Sequence, residues 1–237
     1  MPNRLATWRH PVIEGLAVLL GILVAFGIDA WWQERTDRAT ERELLSALAA
    51  EWRDARDGFE GHAASLDAEF DVSADVVRVL GSPESRVISN DSLHVLTRRM
   101  APPTIYHAPR AALDDLTSSG GIALLQSDLL RRGIAGYRQS LAENLRVQEL
   151  LLDIWLVHLA PYLYEHSTLE LLPEQSSAMG TADPPPVPIR VDREAYLGNR
   201  TYQNLVAARA FRIRDVRRSH ELVLDRVTHL LSLLEDQ

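Results

Sequence analysis

Between Val12 and Trp32 the chain carries 21 residues of which eleven are Val, Ile, Leu or Phe. As a helix rising 1.5 Å per residue, a run of that length spans about 31 Å, the thickness of a bilayer's hydrocarbon core. Its aliphatic residues supply roughly −3 to −7 kcal/mol toward insertion. Glu14 and Asp29 lie near the two ends, where the penalty for charge falls and a side chain can reach the headgroups. Glu14 also sits in the first turn, where the helix dipole favours an anion, and Pro11 just before it needs no hydrogen-bond acceptor there. Trp31 and Trp32 suit the aromatic belt of a membrane interface. Two other readings fit less well. A cleaved signal needs a small-x-small site, but Ala30 has Ile28 two residues before it and the Ala25/Gly27 pair falls inside the apolar run. A soluble core helix is rarely apolar on every face over four turns. The expectation is an uncleaved anchor over 12–32, preceded by a short cytoplasmic tail over 1–11.

From Gln33 the pattern turns amphipathic. Leu45, Leu48, Trp52, Ala55, Phe59, Ala63, Leu66, Phe70, Ser73, Val77 and Leu80 recur at steps of three and four, as in a heptad seam. The anchor is therefore expected to run straight into a long helix ending near Gly81, weakened and bent at Gly58 and Gly61. Short helices are expected near 92–99, capped by Asp91, and near 109–118, opened by Pro109 and stopped by the turn Ser119-Gly120-Gly121. A long helix starts at Ser127 or Asp128 and ends or kinks at Pro161. A Pro-rich loop covers 173–190, and Ile189–Val191 is the sole strand candidate. The last helix starts at Asn199 or Thr201, with a seam of Tyr202, Leu205, Arg209, Ile213, Val216, His220, Val223, Val227, Leu230 and Leu234.

Composition and motifs narrow the function classes. A net charge of −8 argues against a duplex nucleic-acid partner, which demands cations for its phosphates. There is no cysteine, hence no disulfide or thiolate chemistry, and all 25 basic residues are arginine. Ser118-Ser119-Gly120-Gly121 lacks both the GxSxG spacing and the lysine of a phosphate loop, so it reads as a glycine-ended helix and turn. Asp225 and His229 share a helix face but fall short of the three or four ligands a metal site needs. No cofactor, metal or catalytic set is expected, and the chain is not read as an enzyme. Arg209, Arg212, Arg214, Arg217 and Arg218 form a basic stripe, expected to pair with an acidic helix such as Glu51–Glu69 rather than with lipid headgroups. The segment DPPPVP reads as a stiffened loop, with a polyproline ligand as the alternative.

Three stretches carry a family resemblance. VIEGLAVLLGILVAFGIDAWWQERTDRATERELLSAL resembles the opening of a family of uncharacterised bacterial single-pass membrane proteins. In that family an Ile/Gly-rich apolar helix with an early Glu runs into an Asn-Trp-x-Glu-Arg type junction and a long charged helix. Here the junction is Asp29-Ala30-Trp31-Trp32-Gln33-Glu34-Arg35, so Asp29 stands where Asn is usual. ALDDLTSSGGIALLQSDLLRRGIAGY is similar to the family's Leu-x-x-Ser-Gly turn and Leu-Arg helix ending in Tyr, through Leu116, Ser119, Gly120, Leu130, Arg131 and Tyr137. The third stretch is NRTYQNL at the start of the last helix. The resemblance implies topology and no activity.

The expected fold is all-α: a single N-terminal transmembrane helix continuous with a long helix, packed with 128–160 and 199–235 into an elongated bundle over 33–237. The two short helices are expected to cap the end away from the membrane. The expected function is that of a membrane-anchored interaction or scaffold protein; the alternative is a single-pass, ligand-sensing bundle that signals through a partner. The expected location is the bacterial inner membrane, with the bundle in the periplasm, although Arg4 and Arg9 before the anchor nearly balance Arg35, Arg38 and Arg42 after it. Ala17, Gly21 and Ala25 form a small-residue ridge that Asp29 continues, which suits self-association of two anchors in the bilayer.

Overall fold

The computed structural model describes residues 9–82, 87–166 and 192–235, with side chains from residue 16 onward. Among these residues the regular structure is helical and contains no strand, an all-α bundle. Helix α1 runs unbroken for 73 residues, Arg9–Gly81. Local pairs carry it through the junction after the apolar run. Thr36 Oγ1 donates to the Trp32 carbonyl at 3.0 Å, Gln33 donates to Asp37 at 2.9 Å, and Arg38 pairs with Glu34. The Arg35 guanidinium lies 5.8 Å from the Trp31 ring centroid. Every side chain from 16 to 36 is exposed, and this is the one segment among the described residues long and apolar enough to cross a membrane.

The chain groups into two compact units. Unit 1 holds residues up to Glu51 with Arg110–Arg131; unit 2 holds Trp52–Pro109 with Arg132 onward. In unit 1, α3 (Ala111–Ser118) receives no cap from its own Arg110. Instead the Glu51 carboxylate of α1 accepts from the free amides of Ala112 at 2.6 Å and Leu113 at 3.2 Å. Glu41 does the same for Gln126, at 2.7 Å. α3 thus lies beside α1 at Glu51. Gly120, at φ 77° and ψ 9°, ends the helix in the left-handed region, and a 3-10 turn, Gly121–Leu124, follows. A Cβ on Gly121 would meet Leu44 at 3.1 Å and Leu116 at 3.2 Å, so a close approach requires this second glycine.

Among the described residues of unit 2, three long helical segments pack together: α1 from Trp52, α4 (Asp128–Asp153) from Arg132, and α7 (Arg200–Glu235). Trp52 meets Tyr137, and Leu66 meets Leu151, so α1 and α4 run parallel. Glu69 pairs with Arg209 and His62 with His220, so α7 runs antiparallel to α1. α4 does not stop at Pro161. It widens into a π turn, Ile154–Leu159, and continues as α5 (Ala160–His166). The wider turn relieves the clash of a proline ring with the carbonyl four residues back. One end of the unit is closed by α2 (Asn90–Arg98) and α6 (Arg193–Tyr196). There Leu93, Leu96 and Met100 join Val76, Leu80, Trp155, Leu159, Tyr196 and Tyr202 in one apolar cluster. Ser89, not Asp91, caps α2, and Asn199 caps α7 through the amide of Thr201 at 2.9 Å. The expected Pro-rich loop at 173–190, with DPPPVP and Ile189–Val191, lies outside the described residues.

Candidate functional site

The inward face of α1 in unit 2 repeats strictly at three and four: Trp52, Ala55, Phe59, His62, Leu66, Glu69, Ser73, Val76, Leu80, all buried but the half-buried Glu69. Three of these are polar or charged. The apolar alternatives Ala63 and Phe70 are only half-buried and Val77 is exposed. His62 and Glu69 point at an irregular strap, Met100–Pro109, which the helices hold by its backbone. The Arg209 guanidinium donates to the Ala101 carbonyl at 3.0 Å. Glu69 accepts from the Thr104 amide at 3.0 Å and from its hydroxyl at 2.9 Å. Gln148 clamps Tyr106 at both backbone groups, accepting from its N–H at 2.7 Å and donating to its carbonyl at 3.1 Å.

Between Thr104 and Tyr106 the polar side chains close a ring through the bundle: His62 on α1, His220 on α7, then Asn144 and Gln148 on α4. All four are buried. His62 Nδ1 lies 2.7 Å from His220 Nε2, and His220 Nδ1 lies 2.8 Å from Asn144 Nδ2. Gln148 Nε2 donates to Asn144 Oδ1 at 2.7 Å, and His62 Nε2 stands 3.0 Å from the Thr104 carbonyl. Phe59 fills the middle, edge-on to Tyr106 and to His220 at centroid distances of 4.8 Å each.

The donors around this ring follow from its backbone anchors. The Tyr106 N–H and carbonyl fix which end of the Gln148 amide is which. The remaining Gln148 N–H then makes Asn144 an acceptor through Oδ1, so Asn144 Nδ2 donates to His220 Nδ1 and to Ser219 Oγ at 3.1 Å. His220 Nδ1 is therefore bare, and its proton sits on Nε2 and goes to His62 Nδ1. His62 likewise carries its proton on Nε2 and donates to Thr104. Both rings are neutral, and both bare nitrogens are occupied as acceptors. Burial is the main force holding both imidazoles below the ordinary histidine value; for His220, with His62 beside it, the pKa falls to about 4. The Thr104 backbone bond and the Glu69 charge partly oppose this at His62.

Beyond Thr104 the ring joins an ion pair between the buried Arg209 and the half-buried Glu69. Arg209 is 1% exposed and donates to Glu69 at 3.0 Å and to Ser73 Oγ at 2.8 Å. Desolvation draws its pKa down, and the Glu69 charge draws it back up.

The residues expected to matter fall elsewhere. Ala17, Gly21, Ala25, Asp29, Trp31 and Trp32 are exposed on α1, while the side chain of Glu14 lies outside the described residues. Ser119, Gly120 and Gly121 form the turn after α3, with the Ser119 hydroxyl donating to the Asp115 carbonyl at 2.7 Å. The basic stripe pairs in part with α1, as Arg209 with Glu69 and Arg217 with Asp67, and in part along α7, as Arg212 with Asp215 at 3.1 Å. Arg214 and Arg218 line a shallow groove with Phe211, which is 63% exposed. No group of three or more metal-ligating side chains occurs among the described residues, and Asp225 and His229 are exposed. Arg209 and His220 were legible as seam positions on α7. His62, Glu69, Asn144 and Gln148 were not singled out, although continuing the three-four step through polar residues reaches His62 and Glu69. No family model, curated protein or solved structure matches the chain.

Proposed function

We propose that this chain is a membrane-anchored helical interaction protein, with residues 12–32 crossing the bacterial inner membrane once and the bundle presenting helix faces to a protein partner. The observation that carries the reading is the change of environment along α1: apolar and exposed on every face from 16 to 32, then, without a break, buried on one heptad face beyond Trp52. An exposed apolar surface of that length calls for lipid or protein around it. The buried polar ring of His62, His220, Asn144 and Gln148 is bonded within itself and to the strap backbone, which supports a binding role over a catalytic one. The resemblance to single-pass bacterial membrane proteins supports the same topology. A cytoplasmic amino terminus and a periplasmic bundle go with it, as does pairing of two anchors along Ala17, Gly21 and Ala25. The alternative, a sensor that signals through a partner, is favoured by one observation: the helix that carries the anchor also carries His62 and Glu69.

The test is fractionation of cells expressing the full chain. Intact mass of the membrane-extracted protein is expected to retain residues 12–32, and a reporter fused at Gln237 that works only outside the cytoplasm is expected to be active. A mature chain beginning near residue 28 or 31, or protein released from the membrane by carbonate, overturns the reading. In a transmembrane association assay Gly21→Ile should weaken pairing and Leu20→Ile should not.

A further inference from the structure

We propose that the His62–His220 pair is a proton-operated latch on the strap, holding Tyr106 in place while both rings are neutral and releasing it when the pair takes up a proton. The inference rests on the closed ring of hydrogen bonds and does not depend on the membrane anchor.

Only two ring nitrogens can accept a proton, His62 Nδ1 and His220 Nδ1, and each already accepts an N–H. A proton from water adds to one of them without breaking any covalent bond. On His220 Nδ1 it creates an N–H that confronts the Asn144 N–H at 2.8 Å. On His62 Nδ1 it confronts the His220 N–H at 2.7 Å. That second conflict resolves only if His220 moves its own proton from Nε2 to Nδ1, which again confronts Asn144. Whichever nitrogen is protonated first, the conflict ends at Asn144. Asn144 can turn its amide to offer Oδ1, but its Nδ2 then meets Gln148 Nε2, donor against donor. Gln148 can answer only by giving up both backbone bonds to Tyr106. The Val216 carbonyl, one turn back on α7, can take the new His220 N–H, but this leaves the Asn144 N–H buried with one acceptor fewer.

The surroundings set the direction of the response. On α1, Glu69 faces His62 and favours the proton, but it is already neutralised by Arg209 of α7. Asp54 and Asp57, also on α1, act on Tyr106. From α4 the pair meets the neutral amides Asn144 and Gln148, and from the strap the Thr104 carbonyl and hydroxyl. Among the described residues no carboxylate contacts either imidazole directly, so a charged pair gains most by admitting water. The segment free to move is short, Ile105–Ala108, because Arg209 still holds Ala101 and the bond from His62 to Thr104 survives protonation. Its departure takes the Tyr106 ring off Gly58 and Phe59 and wets both histidines.

The experiment is hydrogen exchange on the full chain in lipid nanodiscs at about pH 7.5 and about pH 5, corrected for the intrinsic rate. The Tyr106 amide, which donates to Gln148, is expected to exchange at least about tenfold faster at the lower pH, while the amides of Val216–Val227 in the core of α7 hold their protection. The double variant His62→Gln/His220→Gln is expected to lack this step. If that variant fails to fold, ring-nitrogen shifts of the parent serve instead, and proton uptake by the two histidines must share its midpoint with strap opening. Simultaneous loss of protection in strap and core, a step that persists in the folded double variant, no step at all, or midpoints that differ would each overturn the latch.

Discussion

Gly58 and Gly61 lie three residues apart in the same helix, and the same substitution is expected to act on them with opposite sign. Alanine in a helix interior is favoured over glycine by about 0.5–1 kcal/mol. At Gly61 nothing lies within 4 Å of the position a Cβ would take, so Gly61→Ala should stabilise by that amount. At Gly58 the Cβ would stand 2.0 Å from Tyr106 Oη and 2.4 Å from Cζ. Carbon contacts are comfortable at about 3.5–4.0 Å, so the ring must retreat by more than an ångström. It has little freedom to do so. Gln148 grips the Tyr106 backbone at N–H and carbonyl, the Phe59 ring lies 4.8 Å away, and the hydroxyl reaches the Ala55 carbonyl at 3.4 Å. Overpacking of this kind costs about 1–3 kcal/mol, and the edge-on aromatic pair adds about 0.5–1.5. Net of the propensity gain, Gly58→Ala should destabilise by about 0.5–4 kcal/mol and separate from Gly61→Ala by several degrees in Tm, read by circular dichroism on the full chain in detergent. In a Tyr106→Ala background Gly58→Ala should turn stabilising, because the obstacle is gone. Equal stabilisation by both glycine substitutions, or no coupling between Gly58 and Tyr106, would refute the packing argument.

Removing the buried partner of the Arg209–Glu69 pair should destabilise: Arg209→Met is expected to cost no more than the lower end of about 3–5 kcal/mol in denaturant unfolding, because the Glu69 left behind is 16% exposed, and adding Glu69→Gln should return part of it, since an amide there still accepts from Thr104. Stability should depend on pH through His220, whose pKa drops from 6.5 unfolded to about 4 folded. The unfolded chain binds more protons between those values, so the contribution is full above about pH 6.5 and is lost as pH falls toward 4. Its ceiling is about 3 kcal/mol, read from denaturant midpoints across that window. Gly120→Val should lower Tm through about 1–2 kcal/mol of backbone strain at φ 77°, whereas Gly61→Val, at ordinary helical angles with open space around it, should cost less than that.

The all-helical architecture, the exposed apolar segment at the start of α1 and the left-handed stop at Gly120 were legible in the chain itself, because each rests on short-range physics. Hydrophobic periodicity, helix length against bilayer thickness and the steric freedom of glycine all act within a few residues. The cap of α2 was misplaced by two residues, since Ser89 and Asp91 are both competent and only the backbone path selects one. Pro161 was expected to end or kink its helix. Its clash is local, but the remedy, a π turn through Trp155 and Leu159, is stabilised by burial against the α2 and α7 side chains. Gly58 read as a weak point in α1, yet in the fold it is the gap that admits Tyr106, a residue 48 positions away. The polar ring belongs wholly to tertiary structure. A histidine, an asparagine or a glutamine on a helix face reads as solvated until its partners are known, and here those partners come from α1, α4, α7 and the strap. Burial makes such groups costly unless every donor meets an acceptor, and that condition can be satisfied only once the chain has brought positions 62, 104, 106, 144, 148 and 220 together.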